Sequence, residues 1–380
     1  MISDVKDPLE GKGRISSCLQ KVFRSKYPKH GECPVFMTLA LVAITFIPIG
    51  VVVIKASDAI FELKIRYDDT NNYHYVVGPA EVYPHQFTFN NSNYSTGARV
   101  RKVFSLSKSL AHPVFLQYRL VGFYQNHRRY SFSRDIGQMV SGGDSVATEC
   151  EPFRYPGEFQ GRSVEGQYFP CGAIAWSFFN DSFSLYQIPS TSATDSVEET
   201  LDGAKLICSG AAFDHLGNNL EEGNLCEKKG IALPSDVRLF QPPSNIESQR
   251  SLWKWGGDPE ATDPYKRSGY YYEEAGHPIP TTADEDFLVW ASLSYKPDFT
   301  KMYRIITTDL IPGEYVVDIV ENFDVSSFSG EKYVVLVTRN WIGGKNYALG
   351  ILFLAIGSIS FVLAMSVVIV QYIFWRSSGL

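Results

Sequence analysis

Two long uncharged stretches constrain this chain more than any other feature. Twenty-nine residues from Tyr347 to Trp375 contain no Asp, Glu, Lys, Arg or His. At the helical rise of about 1.5 Å per residue they span roughly 43 Å, more than the ~30 Å hydrocarbon core of a bilayer. Val35 to Ile54 is a second uncharged stretch, of twenty residues. The sequence therefore predicts a membrane protein with two transmembrane helices joined by a large loop.

Basic residues predict the orientation of these helices. Seven Lys and Arg residues precede the first stretch and Arg376 follows the second, and the positive-inside rule places such flanks in the cytosol. We expect a cytosolic tail (1–34), a first span (35–54), a lumenal or extracellular domain (55–346), a second span (347–375) and a cytosolic end (376–380). A cleaved signal peptide is the minor alternative for the first span, because its apolar run exceeds a signal h-region.

The predicted lumenal domain contains four cysteines and three glycosylation motifs, which indicate an oxidising compartment. Pairing between sequence neighbours is the simplest disulfide connectivity, although four cysteines allow three connectivities and spacing does not decide among them. Three Asn-x-Ser motifs are candidate glycosylation sites. The cysteines are Cys150, Cys171, Cys208 and Cys226, and the asparagines are Asn90, Asn93 and Asn180.

Alternation of apolar and charged residues from Phe61 to Tyr67 predicts a half-buried β-strand. Further β-type runs are Val114–Val121, Phe287–Ser292, Tyr303–Thr307, Tyr315–Val320 and Tyr333–Thr338. We expect the last two to form a hairpin, and the first and last strands to pair in an antiparallel sheet near the bilayer. Ser190–Gly223 is predicted to be an insertion closed by a disulfide between Cys208 and Cys226.

Small residues recur at seven-residue spacing on one face of each predicted span. Such residues let helix backbones approach closely, which predicts packing against another helix. They are Ala43 and Gly50 in the first span, and Gly350, Gly357 and Ala364 in the second.

No sequence motif for catalysis is found, whether a zinc-binding His-Glu-x-x-His, a nucleophile elbow, a Cys-x-x-Cys or a phosphate loop. The basic cluster from His127 to Arg134 is expected to pair with carboxylates such as Asp135. Asp284–Asp286 is expected to be a solvated turn, since three consecutive carboxylates converge poorly on a cation. The sequence thus predicts no enzyme, no cofactor, no metal and no nucleic-acid partner.

A two-span channel or receptor subunit and a membrane-anchored ectoenzyme remain alternatives. The spans hold no ionisable residue, which ion pathways usually carry. The channel hypothesis is retained because some pores are gated by apolar constrictions and need no ionisable residue.

Seven segments in chain order carry a resemblance to one family. The first is Phe123-Tyr124-Gln125-Asn126-His127-Arg128-Arg129-Tyr130, followed by Ser133-Arg134-Asp135. The others are Glu149-Cys150-Glu151-Pro152, Pro170–Ala175 with Phe179–Ser182, Lys229–Ala232, Glu285–Trp290, Lys301–Arg304 and Trp341-Ile342-Gly343-Gly344-Lys345-Asn346. They resemble the ligand-effect-modulator, or cell-division-control-fifty, family, the β-subunits of type-four P-type ATPases that flip phospholipids.

The resemblance implies a non-catalytic protein that forms an obligate heterodimer with the ATPase. It implies help in folding, export from the endoplasmic reticulum, and support of phospholipid movement between leaflets in the endoplasmic reticulum, Golgi, endosomal or plasma membrane. It also implies a β-sandwich-like lumenal domain with long insertions, a central disulfide between Cys150 and Cys171, and glycosylation of Asn180. The chain departs from the family pattern in having no cysteine between Lys55 and Glu149.

Overall fold

The computed structural model describes residues 32–68, 86–89, 92–95, 98–141, 146–154, 158–159, 162–163, 167–189, 201, 203–240, 280–323, 325 and 328–377. Asn90, the side chain of Asn93 and residues 190–200 lie outside this description. The chain divides into two compact units, a helical unit comprising residues up to Ile60 and from Asn340 onward, and a β domain from Phe61 to Arg339.

The helices and the strands have the following bounds, each set given in chain order. The helices are α1 (Glu32–Asp58), α2 (Arg128–Phe132), α3 (Ile136–Ser141), α4 (Ala173–Trp176), α5 (Pro234–Leu239), α6 (Glu285–Ala291) and α7 (Tyr347–Ser377). The strands are β1 (Glu62–Arg66), β2 (Gln86–Phe89), β3 (Ser92–Ser95), β4 (Ala98–Leu106), β5 (Val114–Val121), β6 (Glu158–Phe159), β7 (Arg162–Ser163), β8 (Ser182–Ile188), β9 (Lys205–Ser209), β10 (Cys226–Glu227), β11 (Phe299–Ile306), β12 (Gly313–Glu321) and β13 (Glu331–Thr338).

α1 and α7 are the two helices of the described chain that are long and apolar enough to cross a bilayer. Both extend past the uncharged stretches in the sequence, since α1 has 27 residues and α7 has 31. α1 runs through Lys55 to Asp58 because residues at the ends of a span meet headgroups and water, where charge is tolerated. The chain is thus an integral membrane protein.

The two long helices pack against each other through the small residues. A Cβ atom on Gly350 would lie 2.6 Å from Ile54 Cγ1, and one on Gly357 would lie 2.8 Å from Ile47 Cγ1. Gly50 faces Leu354 in the same way, at 2.8 Å. Ala43 and Ala364 are also buried, with 3% and 4% of their surface exposed. The small residues predicted to pack against another helix therefore meet the other span of this chain.

The β domain contains two antiparallel sheets that share a core. The first sheet has the order β1-β13-β5-β11-β10 and the second has the order β4-β12-β8-β9. Phe183 of the second sheet packs edge-on against Tyr303 of the first, with ring centroids 4.9 Å apart. Side chains from both sheets belong to one hydrophobic cluster. The domain is accordingly a sandwich, in agreement with the predicted fold class.

β1 and β13 confirm the predicted closure of the sheet. They pair antiparallel, with Leu63 opposite Leu336 and Ile65 opposite Val334. The chain enters the domain through β1, four residues after α1 ends, and leaves it through β13. The strands that adjoin the two spans are therefore hydrogen-bonded neighbours.

The predicted hairpin of the last two strands is wrong. β12 lies between β4 and β8 in the second sheet, whereas β13 lies between β1 and β5 in the first. Both are central strands buried on both faces, as with the consecutive residues Val334, Val335, Leu336 and Val337. Because each strand is enclosed by two partners in its own sheet, the connection between them crosses from one sheet to the other.

Phe287–Ser292 was predicted to be a strand, and the structure instead forms helix α6 there. Asp284 caps its N-terminus, accepting a hydrogen bond from Asp286 N at 2.8 Å. All residues from Phe287 to Ala291 are buried, so the helix shows no apolar stripe. Periodicity alone cannot distinguish a short buried helix from a buried strand.

Cys208 and Cys226 form a disulfide that joins the two sheets at one edge. Cys208 lies in β9 of the second sheet and Cys226 in β10 of the first. The prediction of an insertion is wrong for residues 205–209, because β9 pairs with β8 as part of the second sheet. A covalent link between sheets compensates for the short β10, which has only two residues.

Replacing Cys208 with serine is expected to destabilise the β domain by about 3 kcal/mol, because the unfolded chain loses a closed loop with a sequence separation of 18. Thermal unfolding of the purified full chain in detergent checks this. Cys18→Ser is the matched control, since that thiol precedes the spans. An unfolding midpoint unchanged by Cys208→Ser would contradict the role of the link.

Candidate partner-binding surface

The N-terminus of α6 holds a buried cluster of alternating charges, consisting of Lys228, Asp284, Asp286 and Arg304. Arg304 is 3% exposed and donates to both carboxylate oxygens of Asp286, at 2.6 and 3.1 Å. Lys228 Nζ lies 2.8 Å from Asp284 and 3.0 Å from Asp286. The expectation of a solvated turn at Asp284–Asp286 is therefore wrong, because two cations from other segments neutralise these carboxylates.

Burial and the neighbouring cations shift the pKa values of the two carboxylates in opposite directions. Burial and the neighbouring Asp286 raise the pKa of Asp284 to about 6. The pKa of Asp286 lies below its usual value, because the rise that burial causes is outweighed by the lowering from Arg304 and Lys228. An acidic N-terminus also suits the helix dipole of α6. The ion pair of Asp286 with Arg304 joins two resemblance segments, and both Asp284 and Asp286 are paired with cations.

At the C-terminus of α6, backbone carbonyls accept hydrogen bonds from cationic and amide side chains. Lys301 Nζ donates to Val289 O at 3.0 Å and to Ser292 O, and burial lowers the pKa of this lysine to about 8. Arg134 Nη1 donates to Ala291 O at 3.0 Å. Gln125 is fully buried and donates to Trp290 O at 3.3 Å. These contacts satisfy carbonyls that end a helix.

A second buried cluster, which we call the core lysine cluster, comprises Tyr67, Asp181, Glu321 and Lys332. Lys332 is fully buried, with Nζ 2.8 Å from Asp181 and 2.9 Å from Glu321. Asp181 also accepts from Tyr67 OH at 2.7 Å and from the backbone of Phe323 at 2.6 Å. Glu321 lies in β12 and Lys332 in β13, while Tyr67 directly follows β1 and Asp181 directly precedes β8, so the cluster connects both sheets.

Asp181 is the middle residue of the glycosylation motif at Asn180. Asn322 Nδ2 donates to the backbone oxygen of Asn180 at 2.9 Å. The backbone N–H of Asn322 donates to Asp181 as well, so Asn322 links the backbone at Asn180 to the core lysine cluster. Cys150 and Cys171 form a disulfide, and both are buried.

The first resemblance segment and the nearby Tyr295 present an exposed surface, which we call the cationic surface. Tyr124 is 61% exposed and Tyr295 is 78% exposed. His127, Arg128 and Arg129 are exposed beside them. No ion pair or hydrogen bond of these three side chains is present within the described ranges. The surface therefore combines exposed aromatic rings with cationic side chains that form no ion pair within the described ranges, and Lys296 Nζ lies 5.3 Å from the ring centroid of Tyr295.

The cationic surface is fixed rigidly to the core. Asn126 Nδ2 donates to Tyr295 O at 2.9 Å, which holds the two exposed loops together. On the inner side, Tyr130 OH bonds Ser177 Oγ at 2.8 Å. The expected pairing with Asp135 is wrong, because this carboxylate accepts from the backbone of Gln138 and Ala147 at 2.9 and 2.8 Å.

The last resemblance segment belongs to the helical unit. Asn340 and Gly343 form a tight turn that exposes Trp341, while Gly344, Lys345 and Asn346 are exposed between this turn and α7. Asn346 O accepts from Ser57 Oγ at 2.9 Å. The segment therefore connects the end of α1 to the start of α7.

Sequence reasoning missed both buried charge clusters. Lys332, Asp181, Lys228 and Arg304 each lie in segments that read as ordinary strands or loops. The available signal was the alternation that places Lys332 on the same strand face as Val334 and Leu336, since a buried lysine requires a paired carboxylate. No group of His, Cys, Asp and Glu able to hold a metal occurs in the part of the chain that the structure describes.

Comparison with known proteins places these features in a family. A model of the LEM3 (ligand-effect modulator 3) family / CDC50 family matches residues 53–377. Cell cycle control protein 50A of Mus musculus is 32% identical over 91% of this chain and 85% of its own length. ALA-interacting subunit 3 of Arabidopsis thaliana is 29% identical over 97% and 92%, respectively. The phospholipid-transporting ATPase accessory subunit CDC50 of Chaetomium thermophilum is 30% identical over 72% and 60%.

Proposed function

Because this chain belongs to the LEM3/CDC50 family, we propose that it is the accessory β-subunit of a phospholipid-transporting P-type ATPase. It makes no covalent bond itself and forms a heterodimer with the larger ATPase, which it helps to fold and to leave the endoplasmic reticulum. The observation that carries this proposal is the similarity along 72% of the chain to a fungal protein named as such an accessory subunit. Similarity to a plant ALA-interacting subunit along 97% of the chain supports it.

The polar residues of the resemblance segments support a binding role. Arg304, Lys301, Arg134 and Gln125 each hold other parts of the fold in place. Their donors are engaged by carboxylates or backbone carbonyls, so they stabilise the domain. The function of the domain then rests on its surface, as in a protein that recognises another protein.

The cationic surface is the region that we propose to contact the ATPase. Tyr and Arg are enriched at the energetic centres of interfaces, because they combine a large apolar area with directional donors. Arg128 begins the short helix α2 and Tyr124 precedes this helix by four residues. The backbone here is held by the Asn126 and Tyr130 contacts, so little backbone entropy is lost on binding. The chain as a whole has a net charge of −6. A local cationic surface on an acidic chain favours an acidic loop of the partner.

Both termini are proposed to lie in the cytosol and the β domain in the lumen or outside the cell. Asn180→Gln tests this orientation, and we expect the protein to run faster on a gel than the wild type because one glycan is lost. The substitution leaves Asp181 and the backbone contact of Asn180 in place. Treatment of both proteins with a glycosidase is the control, after which their mobilities should coincide. Equal mobility before treatment would contradict use of this site.

Affinity purification of the full chain in mild detergent tests the proposed function. We expect a large P-type ATPase to copurify in a one-to-one ratio. A channel subunit would instead purify as a homo-oligomer, and an ectoenzyme would purify alone. Absence of any large P-type ATPase would overturn the proposal.

A further inference from the structure

A tight turn precedes α7 in the helical unit and includes Asn340, Trp341, Ile342 and Gly343. Gly343 N donates to Asn340 O at 2.8 Å, and Asn340 N donates to Gly343 O at 3.3 Å. Ile342 N donates to the side chain of Asn340 at 3.0 Å. Gly343 has φ +97°, a conformation that glycine adopts without strain. We call this segment the Trp341 turn.

Hydrogen bonds attach the Trp341 turn and its continuation to the end of α1. Asn340 Nδ2 donates to Ala56 O at 2.7 Å. Tyr347 OH, at the first residue of α7, donates to Asp58 Oδ1 at 2.8 Å. The turn therefore lies at the level where the first span ends and the second begins, and its position along the helix axes is fixed.

The turn presents a large aromatic side chain at this level. Trp341 is 75% exposed, and no partner of its indole N–H is found within the described residues. Lys345 is exposed nearby, with Nζ 5.5 Å from the ring centroid of Tyr347. Trp and Tyr concentrate at the headgroup level of bilayers, and Lys extends its ammonium toward headgroups there.

Helix length leaves the depth of these spans undetermined. α1 and α7 have 27 and 31 residues, or about 40 and 46 Å, and both exceed a ~30 Å hydrocarbon core. Such helices tilt or slide unless interfacial residues fix them. An aromatic side chain on a rigid turn at the helix ends meets this requirement.

We propose that the Trp341 turn is a membrane anchor, in which Trp341 inserts into the headgroup layer of the leaflet on the β-domain side and sets the depth of both spans. The occupant of this surface is therefore phospholipid. The inference goes beyond the accessory-subunit role, since it requires only that α1 and α7 cross a bilayer.

Photocrosslinking in native membranes tests the anchor. The photoreactive aromatic residue p-benzoylphenylalanine replaces Trp341 in the full chain, and adducts are analysed after illumination of cells fed a radiolabelled fatty acid. Ile359, 61% exposed in the middle of α7, is the positive control, and Tyr295, 78% exposed in the β domain, is the negative control. We expect a labelled lipid adduct at positions 341 and 359 and none at 295.

Two results would overturn the anchor. An adduct at position 341 with protein alone would show that another subunit covers the turn, and absence of a lipid adduct with labelling at 359 would place the turn in water. Repeating the experiment in cells that lack the copurifying ATPase separates the two proposals. The lipid adduct at 341 should persist there, whereas the accessory-subunit role is judged by copurification.

Discussion

Replacing Lys332 with methionine is expected to destabilise the β domain more than any other single change considered for this chain. The ammonium group of Lys332 lies between Asp181 and Glu321 in a fully buried position. Methionine fills a similar volume but leaves two carboxylates without their cation. Removing one partner of a buried charge pair typically costs about 3–5 kcal/mol. For a domain of this size the unfolding midpoint falls by roughly 10 °C.

Thermal unfolding of the full chain in detergent measures this effect. Lys64→Met is the matched control, because Lys64 pairs with Glu62 at the surface of β1 and its side chain is 39% exposed. That change is expected to cost less than about 1 kcal/mol. Adding Glu321→Gln to Lys332→Met should recover part of the loss, since it removes one unpaired carboxylate. Equal unfolding midpoints for Lys332→Met and Lys64→Met would contradict the role of the core lysine cluster.

Reversing the charge of Arg128 and Arg129 is expected to release the ATPase without unfolding the chain. Both side chains are exposed and make no ion pair within the described ranges, so Arg128→Glu with Arg129→Glu leaves the internal contacts of α2 intact. Like charges across an interface cost several kcal/mol, and about 1.4 kcal/mol corresponds to a tenfold change in affinity. We expect at least a ~10-fold loss of copurifying ATPase.

The matched control reverses two other exposed cations of the same domain, Lys108 and Lys205. Lys108→Glu with Lys205→Glu changes the net charge equally and should leave copurification at the wild-type level. Unfolding midpoints of both double variants should match the wild type. If the Arg128/Arg129 variant still brings down the ATPase while the wild type does, the cationic surface is not the contact. If the wild type brings down none, the accessory-subunit role itself fails.

Sequence alone predicted those elements whose pattern is local and regular. Twenty uncharged residues predict a membrane helix by length, and alternation from Phe61 to Tyr67 predicts a strand with one buried face. Pairing of β1 with β13 followed from chain connectivity, because both strands adjoin the spans. These predictions needed no knowledge of distant contacts.

The failures occurred where burial on all sides removed the pattern. Residues 287–291 of α6 are all apolar and buried, so Phe287 and Trp290 read as part of a strand. β12 and β13 are central strands of separate sheets, and their apolar runs carry no signal of which partner lies beside them. Only the hydrogen bonds between strands, which the structure shows, identify the neighbours of β12 and β13.

For the candidate site too, the sequence predicted the local segment but not the contacts between distant residues. The resemblance identified the segment from Phe123 to Asp135 but not which of its residues face outward. The structure assigns Gln125 and Tyr130 to the core and Arg128 and Arg129 to the surface. The pairing of Lys332 with Asp181 joins residues 151 positions apart, which no local pattern encodes.

Phospholipid transport is the most direct test of the central claim that this chain is a non-catalytic subunit required by an ATPase. ATP-dependent movement of a fluorescent phospholipid between leaflets is measured in vesicles containing the chain alone, the copurified ATPase alone, or both. We predict transport only when both are present, and no ATP hydrolysis by the chain alone. Transport of the same rate by the ATPase alone, or ATP hydrolysis by the chain alone, would contradict the account.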